Sequence, residues 1–172
     1  MRKSNIALIG FMGAGKSSIG RMLARKLRKR YVELDALIEK RSGESINNIF
    51  ATKGEAVFRH LETVLTAHVA KGKNQVIACG GGVVLNQTSI DNLRGNSIII
   101  YLQATPEVIL KRTASSQARP LLNNTDREET VRKLLELRLT LYEKAADITI
   151  DTSDMSIDEV VHRIAEELKI ED

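Results

Sequence analysis

Short apolar runs rich in β-branched residues alternate along this chain with longer segments in which apolar positions recur every three to four residues. The short runs are typical of buried parallel strands, and the periodic segments are typical of amphipathic helices. The runs predict five strands, at Ile6–Ile9, Tyr31–Leu34, Val76–Cys79, Ile98–Leu102 and Ile148–Ile150. The periodic segments predict helices near Ser17–Arg30, Asp35–Lys40, Glu55–Lys71, Pro106–Thr113, Asp126–Ala145 and Ser156–Leu168. This alternation indicates an α/β fold, a three-layer sandwich with a central five-stranded parallel sheet.

The length fits one domain of ordinary size. A chain of 172 residues can bury a core without disulfides or metals, so we predict a single domain over residues 1–172. The one cysteine, Cys79, cannot form an intramolecular disulfide, which favours a reducing compartment. The apolar run near the N-terminus ends at Gly10, too early for a signal peptide or a membrane span. We therefore expect a cytoplasmic protein that does not associate with a membrane.

The formal net charge is +4, and the densest basic run lies on the first predicted helix. It consists of Arg21, Arg25, Lys26, Arg28, Lys29 and Arg30. Nucleic acid is one possible partner for such a run. However, three Phe, three Tyr and no Trp provide little surface for base stacking. We favour a solvated helix face and expect no nucleic-acid partner.

The first predicted strand is followed directly by GFMGAGKS, at Gly10–Ser17, which matches the phosphate-loop pattern G-x-x-x-x-G-K-[ST]. Glycines let backbone N–H groups approach a triphosphate closely. Lys16 would then reach the β- and γ-phosphates, and Ser17 would offer its hydroxyl to Mg²⁺ at the positive end of the following helix. The strand before the motif and the helix after it are the context that the motif requires, so we predict a nucleotide site.

Ligands of open α/β sheets bind beyond the carboxyl ends of the strands. The second predicted strand leads into Glu33 and Asp35, and the third leads into the triple glycine Gly80–Gly82. The three glycines suggest that a ligand or another segment touches bare backbone there, and a flexible connection is the alternative. The stretch 114–125 carries Arg119 ahead of a proline and fits either a closing lid or an exposed loop.

Two arginines fall among apolar positions of predicted helices. Arg138 shares a stripe with Val131, Leu134, Leu135, Leu141 and Tyr142. A guanidinium on such a stripe needs an anion, either an internal acid or a ligand carboxylate or phosphate. Arg59 lies on a helix whose apolar positions are Val57, Phe58, Leu61, Val64 and Leu65. Glu62 either forms a surface ion pair with Arg59 or holds it for an acidic substrate, and spacing alone favours the surface pair.

Taken together and in this order, these features resemble the shikimate kinase family over nearly the whole chain. They are Gly10–Gly20, the acidic residues on either side of Leu34, Phe58-Arg59 with Glu62, the triple glycine, Arg119-Pro120-Leu121-Leu122, and Arg138 with Leu141-Tyr142. The resemblance implies ATP-dependent phosphorylation of the 3-hydroxyl of shikimate to shikimate 3-phosphate, in the biosynthesis of chorismate and the aromatic amino acids. It also implies a nucleoside-monophosphate-kinase-like P-loop fold with a substrate-binding segment at about 33–62 and a mobile lid at about 113–125.

The resemblance further implies a role for each candidate residue. ATP would be bound by Gly13, Ala14, Gly15, Lys16, Ser17, Ser18, Arg112 and Arg119. Shikimate would be bound by Asp35, Arg59, Glu62, Gly80, Gly81, Gly82 and Arg138. Asp35, Lys16 and Arg119 would be catalytic, with Asp35 accepting the proton of the attacking hydroxyl and Arg119 stabilising the transferring phosphoryl group. Mg²⁺ would be held by Ser17 and Glu33 in a monomer that has ATP and shikimate as its partners.

The sequence departs from the family pattern at three positions. Glu33 stands where the family usually has Asp, Thr140 where it often has proline, and Cys79 where a small polar residue is common. The longer Glu33 keeps the charge but alters the reach toward a metal. Another small-molecule kinase of this fold is an alternative, although the two arginines with Asp35 favour a hydroxylated carboxylic acid. A guanine-nucleotide switch is a weaker alternative because the chain lacks D-x-x-G and N-K-x-D.

Overall fold

The computed structural model describes residues 3–114 and 126–169. The strands of this part of the chain are β1 (Asn5–Ile9), β2 (Arg30–Glu33), β3 (Gln75–Ala78), β4 (Ser97–Gln103) and β5 (Ile148–Asp151). Its α-helices are α1 (Lys16–Lys26), α2 (Leu34–Ser42), α3 (Ile46–Lys53), α4 (Glu55–Ala70), α5 (Gln87–Asn96), α6 (Pro106–Thr113), α7 (Arg127–Ala145) and α8 (Ile157–Glu167). A short 3₁₀ helix spans Val83–Leu85. None of these helices is both long and apolar enough to cross a membrane.

The five strands form one parallel sheet in the order β2-β3-β1-β4-β5. β1 lies at the centre, with Ala7 opposite Ile77 of β3 and Ile99 of β4. This arrangement confirms the predicted parallel sheet. It also brings the carboxyl ends of β1, β2 and β3 to the same edge, where the phosphate loop, the acidic residues and the triple glycine begin.

Helices cover both faces of the sheet. Alternate residues of β1 point to opposite faces, with Ala7 and Ile9 in one buried cluster and Ile6 and Leu8 in another. The first cluster is completed by residues of α4, α5 and α7, and the second by residues of α1 and α8. The three-layer sandwich expected from the sequence is therefore confirmed.

The predicted boundaries are wrong around β2. Helix α1 ends at Lys26 rather than Arg30, because Arg28 adopts a positive φ of 52° and Arg30 already pairs with Gln75 of β3. The basic run therefore does not lie on one helix. Leu34, predicted to end the strand, instead begins α2 and is fully buried.

The sequence reading also missed α3, the 3₁₀ helix and α5. Helices α3 and α5 begin at polar caps, since the side chains of Ser45 and Asn86 accept hydrogen bonds from the N–H groups of Asn48 and Ser89. Helix α3 buries only Ile49, and α5 carries only two apolar side chains, Ile90 and Leu93, so neither shows a clear helical repeat of apolar positions.

The helices that carry Arg59 and Arg138 each bury one narrow stripe. In α4 this stripe consists of Phe58, Glu62, Leu65, Thr66, Val69 and Ala70, and in α7 it consists of Val131, Leu135, Arg138, Tyr142 and Ala145. Three positions assigned to apolar stripes from the sequence are exposed instead, because they lie off these rows: Val57, Val64 and Leu141. Both buried stripes include a charged side chain at a position that packing would normally give to an apolar residue.

Candidate active site

A cavity of about 780 Å³ opens at the carboxyl ends of β1, β2 and β3. This volume is in the range of small-molecule sites. Its lining contains every site residue predicted from the sequence that lies in the described ranges. Arg119 and residues 115–125 of the predicted lid lie outside the described residues. The structure therefore gathers at one place the residues that the sequence scatters between positions 13 and 138.

The phosphate loop depends on its glycines for its shape. Gly10 has a φ of 148°, and a Cβ there would lie 2.5 Å from the carbonyl oxygen of Leu102. Gly15 has a φ of 97° and directly precedes α1. The ammonium of Lys16 donates to the carbonyl oxygens of Gly10 at 2.7 Å and Phe11 at 2.9 Å. The loop thus holds a cation and the positive end of a helix at the cavity, which suits a polyphosphate.

Beside the loop, Glu33 accepts hydrogen bonds at both carboxylate oxygens. Ser17 donates to Oε1 at 2.9 Å, and the hydroxyl of Tyr31 donates to Oε2. Burial and the neighbouring Glu33 raise the pKa of the Tyr31 phenol, so it stays protonated as a donor. The Arg21 guanidinium lies 3.8 Å from the same carboxylate. Glu33 is therefore part of a small network rather than a freely moving side chain.

Hydroxyl and carboxylate oxygens are ligands that suit Mg²⁺. Ser17 and Glu33 supply two such groups next to the phosphate loop. Among the described residues, no three His, Cys, Asp or Glu side chains cluster as a metal site. Mg²⁺ is usually bound by one or two protein groups together with substrate phosphates and water.

A second acidic pair flanks Gly80. A Cβ on Gly80 would lie 2.5 Å from Oε1 of Glu62 and 2.9 Å from Oδ1 of Asp35. Both oxygens are buried, and neither has a hydrogen-bond partner among the described residues. Burial raises the pKa of Asp35 against the opposing charge of Lys16, and it raises the pKa of Glu62 against the opposing charge of Arg59. Unpartnered buried acceptors are costly, and a ligand hydroxyl would satisfy them.

The surface ion pair favoured by the sequence spacing is wrong. Glu62 is only 2% exposed, and its Oε2 accepts a hydrogen bond from Nη1 of Arg59 at 2.9 Å. Arg59 also contacts Glu55 at 3.1 Å, and its guanidinium lies over the ring of Phe58. Glu62 is buried because it lies on the buried stripe of α4 and faces the triple glycine Gly80–Gly82. The pair therefore orients the Arg59 guanidinium at the cavity.

Arg138 is buried, with 4% of its surface exposed, as its place on the apolar stripe predicts. Its Nη1 donates to the carbonyl oxygen of Gly81 at 3.3 Å, and its guanidinium lies over the ring of Phe11. Tyr142 donates to the same carbonyl oxygen. Among the described acidic residues, none forms an ion pair with Arg138. Of the two alternatives left by the sequence, this geometry favours a ligand anion over an internal acid.

Arg112 extends from α6 to the phosphate loop, where its Nη1 lies 3.5 Å from the carbonyl oxygen of Gly13. Its Nη2 donates to the carbonyl oxygen of Thr152 at 2.7 Å, and its Nη1 donates to the Thr152 hydroxyl at 3.1 Å. Sequence reasoning missed Thr152, although it lies two residues after the last predicted strand and directly follows β5. It also missed Tyr31, which lies two residues before Glu33 and hence on the same face of β2. The available signals were the strand end for Thr152 and the alternation of side chains along β2 for Tyr31.

Comparisons with a family model, with related sequences and with solved structures all point to the same family. Residues 12–169 match a family model described as shikimate kinase. A shikimate kinase from Dehalococcoides mccartyi is 45% identical over 167 residues, which cover 97% of this chain and 94% of the relative. One from Caldanaerobacter subterraneus is 46% identical over 160 residues, which cover 93% of each chain. The solved structure of the Acinetobacter baumannii shikimate kinase in complex with shikimate superimposes with a TM-score of 0.94 at 35% identity, covering 97% of this chain and 93% of that one.

Proposed function

This chain belongs to the shikimate kinase family, and we propose that its cavity is the place where the γ-phosphoryl group of ATP passes to the 3-hydroxyl of shikimate. The enzyme is an ATP-dependent kinase in the biosynthesis of chorismate and the aromatic amino acids. One observation carries the assignment of the site. The guanidinium groups of Arg59 and Arg138 line the same cavity as a phosphate loop, together with two buried carboxylate oxygens that have no hydrogen-bond partner among the described residues.

The acceptor side of the cavity suits a small acid with several hydroxyl groups. Arg59 and Arg138 would bind the carboxylate of shikimate, since a guanidinium can grip a carboxylate with two parallel hydrogen bonds. Glu62 would keep Arg59 in place through the 2.9 Å hydrogen bond. Asp35 would accept a hydrogen bond from a ring hydroxyl, and the ring would lie against the bare backbone of Gly80–Gly82.

The donor side suits ATP. The backbone of Gly13–Ser18 would wrap the phosphates, and Lys16 would move from its loop carbonyls onto the β- and γ-phosphates. Arg112 would lie against the adenine, held by Thr152. Ser17 and Glu33 would hold Mg²⁺, which neutralises charge on the β- and γ-phosphate oxygens when it is bound.

The reaction itself needs one proton acceptor and stabilisation of charge. The 3-hydroxyl oxygen forms a bond to the γ-phosphorus, the bond to the β-phosphate oxygen breaks, and the hydroxyl proton passes to Asp35. Burial raises the pKa of Asp35, which makes this carboxylate a better proton acceptor than an exposed aspartate. Lys16 and Arg119 would stabilise the transferring group, so that most of the rate enhancement comes from positioning and electrostatics.

Residues 1–172 would form one catalytic domain, with a substrate-binding segment at about 33–62 and a lid at about 113–125. The enzyme would work in the cytoplasm as a monomer and would need neither nucleic acid nor a membrane. Sedimentation equilibrium at the protein concentrations of the assay tests whether the enzyme is a monomer, because a dimer would give about twice the molar mass.

The decisive test is ADP release by the purified protein with ATP and Mg²⁺ in the presence of different acceptors. Shikimate, quinate, gluconate and nucleoside monophosphates should be compared at equal concentration. We expect strong stimulation by shikimate, with phosphorus NMR locating the phosphate on the 3-oxygen. Stimulation by another acceptor alone, or by none, would overturn the proposed use of the site.

A further inference from the structure

A serine of the phosphate loop and a tyrosine of the edge strand β2 hold one carboxylate between them. Ser17 donates to Oε1 of Glu33 at 2.9 Å, and Tyr31 donates to Oε2. The carboxylate cannot turn about its last torsion without losing one of these hydrogen bonds. The Tyr31 hydroxyl therefore restrains the orientation in which Glu33 meets Ser17.

This restraint matters for the chemistry of Ser17. A hydroxyl has one proton to donate and two lone pairs with which to accept. When its proton is committed to Glu33, both lone pairs remain available, which is the state that a bound cation requires. Outer groups that orient a metal ligand in this way tune metal affinity in many sites.

The position of Tyr31 is built into the packing between β2 and α1. Its ring lies against Gly20 of α1, where a Cβ would come within 2.8 Å of Cε2. The guanidinium of Arg21, also on α1, lies over the same ring at 5.5 Å from its centroid. Glycine at position 20 leaves the space that the Tyr31 ring occupies. The hydroxyl is therefore held in place by packing of the ring as well as by its hydrogen bond.

We propose that Tyr31 is a positioning residue for the cation that accompanies the nucleotide, acting through Glu33 on the hydroxyl of Ser17. The inference rests on the proposed function, in which Ser17 and Glu33 hold Mg²⁺. It assigns a role to a side chain that does not line the cavity. It also explains how the side chain of Glu33, with its additional torsion, is kept in a defined orientation beside the phosphate loop.

The test compares ADP binding with Mg²⁺ and with EDTA, measured by calorimetry, in the wild type and in Tyr31→Phe. The ratio of the two dissociation constants reports how strongly the cation assists the nucleotide. In Tyr31→Phe we expect this ratio to fall by about 3- to 10-fold, as for the loss of one ordinary hydrogen bond, while ADP affinity in EDTA stays within about twofold. An unchanged ratio would overturn the proposal, and so would an equal loss of affinity in both conditions.

Two further variants test whether the effect comes from the position of the Tyr31 hydroxyl. Gly20→Ala keeps the hydroxyl but displaces the ring, and it should lower the ratio in the same direction. Tyr101→Phe removes a phenol from β4 that does not line the cavity, and it should leave the ratio unchanged.

Ser17→Ala distinguishes a failure of the proposed cation site from a failure of the role of Tyr31. If this variant keeps the full ratio, the cation site within the proposed function fails. If Ser17→Ala loses the ratio and Tyr31→Phe keeps it, the inference about Tyr31 alone fails.

Discussion

Gly82→Ala should weaken shikimate binding while the protein still folds. Gly82 has ordinary backbone angles, with a φ of −100° and a ψ of 7°, so alanine fits its backbone. A Cβ there would lie 2.2 Å from Nη1 of Arg59, where ordinary contacts begin at 3.4 Å. The guanidinium must therefore move by about 1.2 Å. The clash involves the end of a flexible side chain, which can move without disturbing the core.

The size of the effect follows from the contacts that Arg59 would lose. A shift of that size breaks or distorts its 2.9 Å hydrogen bond to Glu62 and its alignment with a substrate carboxylate. A hydrogen bond between charged groups contributes about 1.5–3 kcal/mol. Loss of one such interaction corresponds to a decrease of about 10- to 100-fold in kcat/KM for shikimate. ADP affinity should stay within about twofold, because the phosphate loop is not displaced.

The assay is steady-state ADP release over a range of shikimate concentrations, together with calorimetry of ADP and thermal unfolding. Gly95→Ala is the matched control, because Gly95 lies on α5 with nothing within 4 Å of an added Cβ. That control should keep kcat/KM and gain slightly in stability, since alanine favours a helix over glycine. If kcat/KM of Gly82→Ala stays within about twofold of wild type, the placement of Arg59 is refuted.

Three further changes probe other parts of the cavity. Lys16→Ala should weaken ADP binding in calorimetry and lower kcat by about 100-fold or more, and normal turnover would contradict the nucleotide site. Arg138→Ala should raise the KM for shikimate at least about 10-fold while sparing ADP binding, and an unchanged KM would remove Arg138 from the substrate site. Asp35→Asn should abolish turnover yet raise the melting temperature at neutral pH. Burial raises the pKa of Asp35, so the wild type loses stability as pH rises from the ordinary aspartate pKa of about 4 toward the raised pKa of the folded state; the advantage of the variant should therefore grow as pH rises above about 4. An advantage that shrinks with rising pH in thermal unfolding would contradict the sign.

The fold was predictable where a pattern repeats over enough residues. The five strands and the long helices α4 and α7 follow from apolar periodicity, and their parallel pairing follows from their alternation along the chain. The end of α1 was not predictable, because a positive φ at Arg28 is a property of the turn rather than of the residue type. Likewise, α3 begins at the Ser45 cap, a signal of one residue that competes with many similar serines.

The chemistry of the site was partly predictable for a related reason. Arg138 interrupts an apolar stripe of its helix, so the spacing of apolar residues along the sequence is enough to mark it as a buried charge. Glu62 lies three residues after Arg59, a spacing that exposed helices also use, so its burial depends on the glycine loop that packs over α4. The hydroxyl of Tyr31 gave no signal beyond its place two residues before Glu33, because its role depends on the space left by Gly20.

The triple glycine shows why the charged residues and the loop must be considered together. A Cβ at Gly80 would meet the two buried carboxylates, and a Cβ at Gly82 would meet a guanidinium. At Gly81, a Cβ would come within 3.3 Å of the backbone nitrogen of Met12 in the phosphate loop. A Cβ at each of the three positions would thus meet a different neighbour, and a merely flexible connection does not account for that. A loop shaped only for stability would carry side chains here and leave apolar residues at positions 62 and 138. The chain instead keeps two buried charges beside bare backbone, at the point where the phosphate loop lies closest. This arrangement costs stability in the free protein, and a ligand with hydroxyl and carboxylate groups is what would offset that cost.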